Sequence, residues 1–305
     1  MEPKRIPVNS VIPAAVTPFN DKMEVDHDEF TRHLEGLSAV DGVTAIMVNG
    51  AVGQDSQLTR EEKTRLLKDA VEAGSGTPIL AAVRESEIES DIGLLARDAE
   101  EAGADAILIM PPGDKHASTV EGALVRFGKV FDNSSLPVAF YQVNPKRNGY
   151  PIETLVELVK QDPVFAVKEG CGDPETSETE MRAMRAVDPG VAIWSTHSRW
   201  LLADLAMGAD GLLSGMGSVN ADLHVALCRA MWKSDLTAAR KINDLLYRLT
   251  RVFYGPGQNP HTRMKYALKQ LGRIKSDTVR PPLEQLDIGE QERIDHILVD
   301  IRSGI

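Results

Sequence analysis

A single lysine at the end of an apolar run is the residue of this sequence best suited to covalent chemistry. Residues Val164–Val167 are apolar, Lys168 follows them, and a glycine-containing turn comes next at Gly170–Asp173. Lysine is rarely buried without a partner or a purpose. In an apolar pocket the charged ammonium is disfavoured, the pKa falls, and the free amine can form an imine with a ketone. The alternative is a lysine that leaves the strand to pair with Glu169 or with a helix.

Short apolar segments alternate with amphipathic ones, and this alternation predicts right-handed βαβ units and a parallel sheet. The predicted strands are Val11–Val16, Thr44–Val48, Ile79–Val83, Ala106–Met110, Val138–Tyr141, Val164–Lys168, Val191–Ser195 and Gly211–Ser214. Their continuous apolar character suits strands that are buried on both faces. Eight of them match a closed barrel better than an open sheet, so we predict an α/β fold, a (β/α)8 TIM barrel. Catalytic residues of such barrels lie at the carboxyl ends of the strands.

Amphipathic segments predict the helices between these strands and a helical tail after them. The predicted helices are Asp26–Ser38, Arg60–Glu72, Glu87–Glu101, Val120–Val130, Ile152–Lys160, Thr179–Ala186, Arg199–Ala206, Ala221–Lys233, Thr237–Phe253, Thr262–Leu271 and Glu290–Ile301. We expect residues 1–233 to form the barrel and residues 234–305 to form a C-terminal helical extension packed on it, as a single structural unit.

Composition narrows the class of function. The chain of 305 residues has a formal net charge of −11, which argues against nucleic acid or an anionic membrane as a partner because both attract basic surfaces. Its two cysteines are too few for a disulfide framework, and we expect a cytoplasmic protein. No glycine-rich dinucleotide motif follows the first strand.

Four segments, in order, resemble one known family. They are Pro13–Phe19 (PAAVTPF), Val48–Thr59 (VNGAVGQDSQLT), Phe140–Pro145 (FYQVNP) and Val167–Asp173 (VKEGCGD). Together they resemble the dihydrodipicolinate synthase and N-acetylneuraminate lyase family, which are Schiff-base class I aldolases. The order and spacing of the motifs match from about residue 10 to residue 235, and the helical tail also agrees.

The resemblance implies a role for each matching residue. Lys168 would form an imine with a 2-keto acid, typically pyruvate, and Tyr141 would carry protons to and from it. The loop that contains Gly50, Ala51 and Val52 would bind the carboxylate of the keto acid through backbone N–H groups, where glycine permits close approach. The protonated imine would stabilise negative charge at C3, so that a C–C or C–H bond there can break. The resemblance therefore implies that no metal or organic cofactor is required.

The sequence also departs from the family pattern. Ala51 and Val52 stand where the family usually has two threonines, the first of which relays a proton to the tyrosine, and Gln54 stands where glutamate is usual. Gly113 replaces a tyrosine that reaches a neighbouring subunit, and Asn144 is an extra residue in the fifth loop. These changes count against lysine-pathway synthase activity as such.

Substrate selectivity is expected from unusual side chains in the strand-end loops. Arg84 follows the third strand and is suited to a second carboxylate, or else pairs with Glu85 or Glu87. Arg147 matches an arginine that some family members use to bind the carboxylate of their second substrate. His197 follows the seventh strand, where it binds substrate hydroxyls, acts as a general acid or is a solvated loop histidine.

We therefore predict a Schiff-base lyase that acts on pyruvate or a 2-keto-3-deoxy acid, with Leu213 of the eighth strand among its substrate-binding residues. One rival is a true 4-hydroxy-tetrahydrodipicolinate synthase. A rival of another class is a keto-acid binding or sensing protein that has lost turnover. The expected partners are a small 2-keto acid and further copies of this chain, in a dimer or tetramer.

Overall fold

The barrel predicted from the sequence is confirmed in the computed structural model, which describes residues 5–74, 76–86, 91–255 and 260–304. The strands are β1 (Val11–Pro13), β2 (Ile46–Val48), β3 (Ile79–Val83), β4 (Ala106–Ile109), β5 (Val138–Val143), β6 (Val164–Gly170), β7 (Ala192–Ser195) and β8 (Gly211–Ser214). Each pairs in parallel with the next from β2 to β8, and β8 pairs with β1. The remaining gap, between β1 and β2, is bridged at Ala14 and Met47, where the Ala15 N–H donates to the Met47 carbonyl at 2.9 Å.

Helices surround the barrel in the expected order. They are α1 (His27–Ser38), α2 (Arg60–Ala73), α3 (Ile92–Glu101), α4 (Val120–Phe131), α5 (Ile152–Val159), α6 (Pro174–Val187), α7 (Leu201–Met207), α8 (Gly217–Trp232), α9 (Leu236–Phe253), α10 (Pro260–Gln270) and α11 (Ile288–Gly304). Several helices begin directly after a residue whose side chain caps the helix N-terminus. At α2, Thr59 and Glu62 form a reciprocal capping box. The predicted start of the third helix, at residue 87, lies outside the described residues.

Three elements differ from the sequence prediction in ways that affect the barrel mouth. Strand β6 continues past Lys168 to Gly170, and β5 continues to Val143. Helix α6 begins at Pro174 rather than at Thr179, because the Asp173 side chain accepts from the Thr176 N–H and proline suits the first helical turn. The connection from the lysine strand to its helix is therefore short and capped.

The C-terminal helices pack on the barrel. Helix α9 contacts α8 and buries Leu246, Leu249 and Phe253, and α10 is buried along most of its length. The division expected at residues 233–234 falls between α8 and α9. Within the described ranges, every helix is too short or too polar to cross a membrane.

Candidate functional site

Two adjacent strands bring Lys168 and Tyr141 together at the carboxyl end of the barrel. Tyr141 and Lys168 are partners in the parallel register of β5 and β6, so their side chains point to the same face. The Lys168 Nζ lies 4.2 Å from the centroid of the Tyr141 ring. Lys168 is only 5% exposed, and among the described residues its amine makes no hydrogen bond or ion pair. The structure therefore contains no ion pair between Lys168 and Glu169, which was one of the alternatives that the sequence left open.

The surroundings favour the neutral form of both side chains. Burial, assisted by the positive charge of Arg84, lowers the pKa of Lys168 to about 7, while Asp55 acts in the opposite direction. Burial, assisted by Tyr254 and Glu169, raises the pKa of Tyr141 above its usual value of 10.0. At neutral pH the pair is a partly deprotonated amine beside a neutral phenol.

Arg84 forms an ion pair that the sequence interpretation did not include. Its Nε and Nη2 donate to the two carboxylate oxygens of Asp55, at 2.7 and 2.6 Å. The predicted alternative partner Glu85 instead accepts from Arg126, and Glu87 lies outside the described residues. In the part of the chain that the structure describes, the Nη1 of Arg84 has no hydrogen-bond partner.

The loop after β2 forms a tight turn with free donors. Ala51–Gly53 is a single 3-10 turn, in which the N–H groups of Gly53 and Gln54 donate to the carbonyls of Gly50 and Ala51. The N–H groups of Ala51 and Val52 have no acceptor among the described residues. Paired free N–H groups at the start of such a turn favour an anion.

The other predicted site residues differ in how closely they approach this centre. Leu213 is fully buried on β8, opposite Ile12 of β1. His197 stacks on Trp200 and burial lowers its pKa to about 4, so it is neutral; its Nδ1 is buried and has no partner among the described residues. Arg147 is exposed on the β5 loop, and within the described ranges its guanidinium makes no hydrogen bond or ion pair.

A second polar cluster lies behind β6, on the side away from Lys168. Glu169 accepts from the Cys171 N–H and the Ser177 hydroxyl, and Glu180 accepts from Gln142. Donor atoms of Glu169, Cys171 and Glu180 lie within 4.8 Å of one another. Because burial raises the pKa of all three groups, they suit a protonated, structural cluster better than a set of metal ligands.

Sequence reasoning missed Asp55 and Tyr254. Asp55 stands in a polar loop, and the only signal was its place between two glutamines of the glycine-flanked segment. Tyr254 begins the turn after α9, where its position gave no sign of proximity to Tyr141. Gln54, which the sequence marked only as a departure from the family pattern, bonds to the backbone of Arg280 and to Lys265.

The chain is similar to known sequences along nearly its whole length. A model of the dihydrodipicolinate synthetase family matches residues 7–301. Two relatives named 4-hydroxy-tetrahydrodipicolinate synthase are each 31% identical to this chain. The match with the Kineococcus radiotolerans protein covers 91% of this chain and 88% of the relative. The match with the Chloroherpeton thalassium protein covers 94% and 93%.

Solved structures of the same fold cover nearly the whole chain. Dihydrodipicolinate synthase from Bacillus anthracis has a TM-score of 0.85 and 25% identity, over 97% of this chain and 99% of that one. YagE, a prophage protein from E. coli K12 solved in complex with pyruvate, has a TM-score of 0.88 over 96% and 98%. Its identity of 21% supports the fold alone.

Proposed function

The chain belongs to the dihydrodipicolinate synthetase family, a family of lyases, and from that premise we propose that it forms an imine between Lys168 and a 2-keto acid. The substrate is pyruvate with an aldehyde, or a 2-keto-3-deoxy acid. The observation that carries the proposal is the buried amine of Lys168, 4.2 Å from the Tyr141 ring centre, with a pKa of about 7.

The covalent step follows from the state of the amine. The lone pair of Nζ attacks the ketone carbon, the carbonyl oxygen leaves as water, and the protonated imine draws electrons from C3. A bond at C3 then breaks, to hydrogen or to carbon, and the electron pair is held as an enamine. Tyr141, as a neutral phenol next to the amine, donates and accepts the protons of these steps.

Two anion-binding groups would orient the substrate. The free N–H groups of Ala51 and Val52 would bind the carboxylate next to the ketone. The unpaired Nη1 of Arg84 would bind an acid or hydroxyl group at the far end of a longer substrate, while Asp55 holds the other two donors of the guanidinium. His197 and Leu213 would complete the wall of the site, and Arg147 would act from the rim.

The rival functions are separated by single features. Gly113 and Ala51 replace side chains expected in a true 4-hydroxy-tetrahydrodipicolinate synthase, which favours another keto-acid lyase. A binding protein without turnover would need neither a phenol beside the amine nor an amine that is partly neutral at pH 7. The pairing of Tyr141 with Lys168 therefore favours an enzyme.

Borohydride reduction tests the imine directly. The protein is incubated with pyruvate and, separately, with a panel of 2-keto-3-deoxy acids, then reduced, digested and analysed by mass spectrometry. We expect a reduced adduct on the peptide that carries Lys168 in the wild type and no adduct in Lys168→Arg. Lys146→Arg, in the exposed loop after β5, is the matched control and keeps the adduct. Absence of an adduct with every keto acid would sink the proposal.

A further inference from the structure

Three arginines of the C-terminal helices line a cavity of about 420 Å³. Arg251 belongs to α9, Arg263 to α10 and Arg293 to α11, so each comes from a different helix. The other lining residues are Val252, Gly255, Glu290 and Ile294. Because Glu290 is the one carboxylate among the lining residues that the structure describes, the lining has an excess of two positive charges. On a chain with a formal net charge of −11, such an excess is local and attracts anions to this place.

Arg263 is the buried member of this set, and its donors hold the cavity together. It is 5% exposed. Its Nη1 donates to the carbonyls of Phe253 and Gly255, at 3.2 and 3.4 Å. Its Nε and Nη2 both donate to Oε1 of Glu290, the former at 2.9 Å. These bonds tie the end of α9 to the start of α11. Since Arg263 and Glu290 form a neutral pair, the excess charge comes from the other two arginines.

Arg251 and Arg293 have guanidinium groups available to a ligand. Both side chains are exposed, and neither guanidinium makes a hydrogen bond or ion pair with a residue that the structure describes. A carboxylate oxygen of Asp287 and the Nη1 of Arg293 lie 3.4 and 3.9 Å from the point where a Cβ atom on Gly289 would lie. That oxygen accepts from the Glu290 N–H instead. A guanidinium offers a planar fork of donors that matches two oxygens of a carboxylate or phosphate.

We propose that this cavity binds a small polyanion, a phosphate ester, pyrophosphate or polycarboxylate, through the guanidinium groups of Arg251 and Arg293. Arg251 lies in the last turn of α9, where a positive charge also stabilises the helix C-terminus. That role involves one arginine and leaves the second, on α11, without a function. Two unpaired forks beside a buried ion pair match a ligand with two or more negative charges. The site does not depend on the imine chemistry of Lys168.

The cavity is separate from the keto-acid site, although one turn joins them. Gly255 lines the cavity and follows Tyr254, whose carbonyl accepts from the Arg199 guanidinium at 3.0 Å. Arg199 belongs to the loop after β7. The Tyr254 hydroxyl lies 3.4 Å from the point where a Cβ atom on Gly215, in the loop after β8, would lie. The turn thus reaches the barrel mouth, but the two sites have no lining residue in common, so pyruvate should not compete with the polyanion.

Isothermal titration of the full chain with pyrophosphate and, separately, with citrate tests the site at low ionic strength, where charge attraction is least screened. We expect one of these anions or both to bind with one-to-one stoichiometry. The double variant Arg251→Gln/Arg293→Gln should bind about tenfold or more weakly, because it loses two charge-assisted contacts. The matched control is Arg97→Gln/Arg182→Gln, which changes the net charge equally at two exposed arginines elsewhere. It should bind like the wild type.

The pattern of binding decides the outcome. Binding of pyrophosphate alone would identify a phosphoryl ligand, and binding of citrate alone a polycarboxylate; both results support the site. The proposal is wrong if the wild type binds neither anion, if both double variants lose affinity equally, or if saturating pyruvate displaces the anion. Thermal unfolding without ligand should be the same for wild type and Arg251→Gln/Arg293→Gln, so weaker binding cannot be ascribed to misfolding. Anion binding without any borohydride-trapped adduct would refute the proposed function and leave this site standing.

Discussion

Burial shifts the pKa values of Lys168 and Tyr141 in opposite directions, and both shifts favour an uncharged side chain. For Lys168 the pKa of about 7 leaves a large share of free amine at neutral pH, which is the form that the proposed imine chemistry requires. For Tyr141 it means that a proton can be accepted only as another is released. One apolar environment thus favours both the free amine of Lys168 and the neutral phenol of Tyr141.

The pH dependence of imine formation should report the Lys168 amine. The rate of adduct trapping with pyruvate should rise with pH through a midpoint near 7 and level off above it, because the free amine is the reactive form. Arg84→Gln removes a positive charge that lowers the pKa of Lys168, so the midpoint should move upward by about 0.5 to 1 pH unit. Rapid-quench measurements of adduct formation at a series of pH values determine this midpoint.

The control is Arg97→Gln, which removes an exposed arginine whose one hydrogen-bond partner in the described part of the chain is Asn133. It should leave the midpoint unchanged. A midpoint near 10 in the wild type would contradict the buried-amine interpretation. An equal shift in both arginine variants would show that net charge, and not the position of Arg84, controls the amine.

The elements were predictable from sequence to a greater extent than the contacts between them. The apolar run before Lys168 identified strand β6, because buried parallel strands read as continuous apolar segments. The Arg84–Asp55 pair was not predictable, since the loops after β2 and β3 meet only when the barrel closes. Tyr254 reaches the same mouth from outside the strand–helix repeat. The local sequence pattern around such a residue does not indicate which distant residues it will contact.

The unit of β6 and α6 contains a buried acidic cluster whose protonation is coupled to folding. Burial raises the pKa of Glu180 to about 8, with Gln142 opposing the shift and the charge of Glu169 assisting it. One carboxylate oxygen of Glu180 has no partner among the described residues, so the charged form is poorly solvated. The cluster supports the strand that carries Lys168 from behind.

Glu180→Gln should therefore alter stability in a pH-dependent way. A carboxyl with a pKa of about 4.3 in the unfolded chain and about 8 in the folded one binds its proton more tightly when folded. Its contribution to the free energy of unfolding is fully present below pH 4 and is lost as the pH rises to about 8. The glutamine variant cannot ionise, so at pH 8 its Tm should exceed that of the wild type by roughly 2–4 °C.

Thermal unfolding at pH 5 and pH 8 provides the comparison. Glu178→Gln lies on the same helix and removes an exposed carboxylate that pairs with Arg182, so it should change Tm little at either pH. An identical pH slope in wild type and Glu180→Gln would show that Glu180 is charged in the folded protein.

At the scale of the whole molecule, the C-terminal extension holds the loop after β2 in place. Lys265 and Arg280 lie over the Phe19 ring, with the Lys265 Nζ 4.0 Å and the Arg280 guanidinium carbon 4.5 Å from its centroid. Gln54, at the end of the 3-10 turn that offers the free N–H groups, bonds to Lys265 and to the Arg280 backbone. The conformation of this turn thus depends on residues more than 200 positions later in the chain.

Arg280→Ala tests that dependence. The Arg280 side chain bonds to both oxygens of Glu62 and to the carbonyls of Met23 and Gln57, so its removal leaves a partly buried carboxylate and two carbonyls without their donor. We expect the free energy of unfolding to fall by about 2–4 kcal/mol. We also expect the pyruvate concentration for half-maximal adduct to rise several-fold, because the backbone of residue 280, to which Gln54 bonds, loses the side-chain bonds that hold it in place.

Arg182→Ala is the matched control, since it removes an arginine from an exposed pair on α6 that should contribute well under 1 kcal/mol. Chemical denaturation and adduct trapping are measured on both variants. If Arg280→Ala loses stability but binds pyruvate as well as Arg182→Ala does, the extension supports the barrel without ordering the loop. A rise in the half-maximal concentration only in Arg280→Ala would mean that the extension and the carboxylate-binding turn act as one unit.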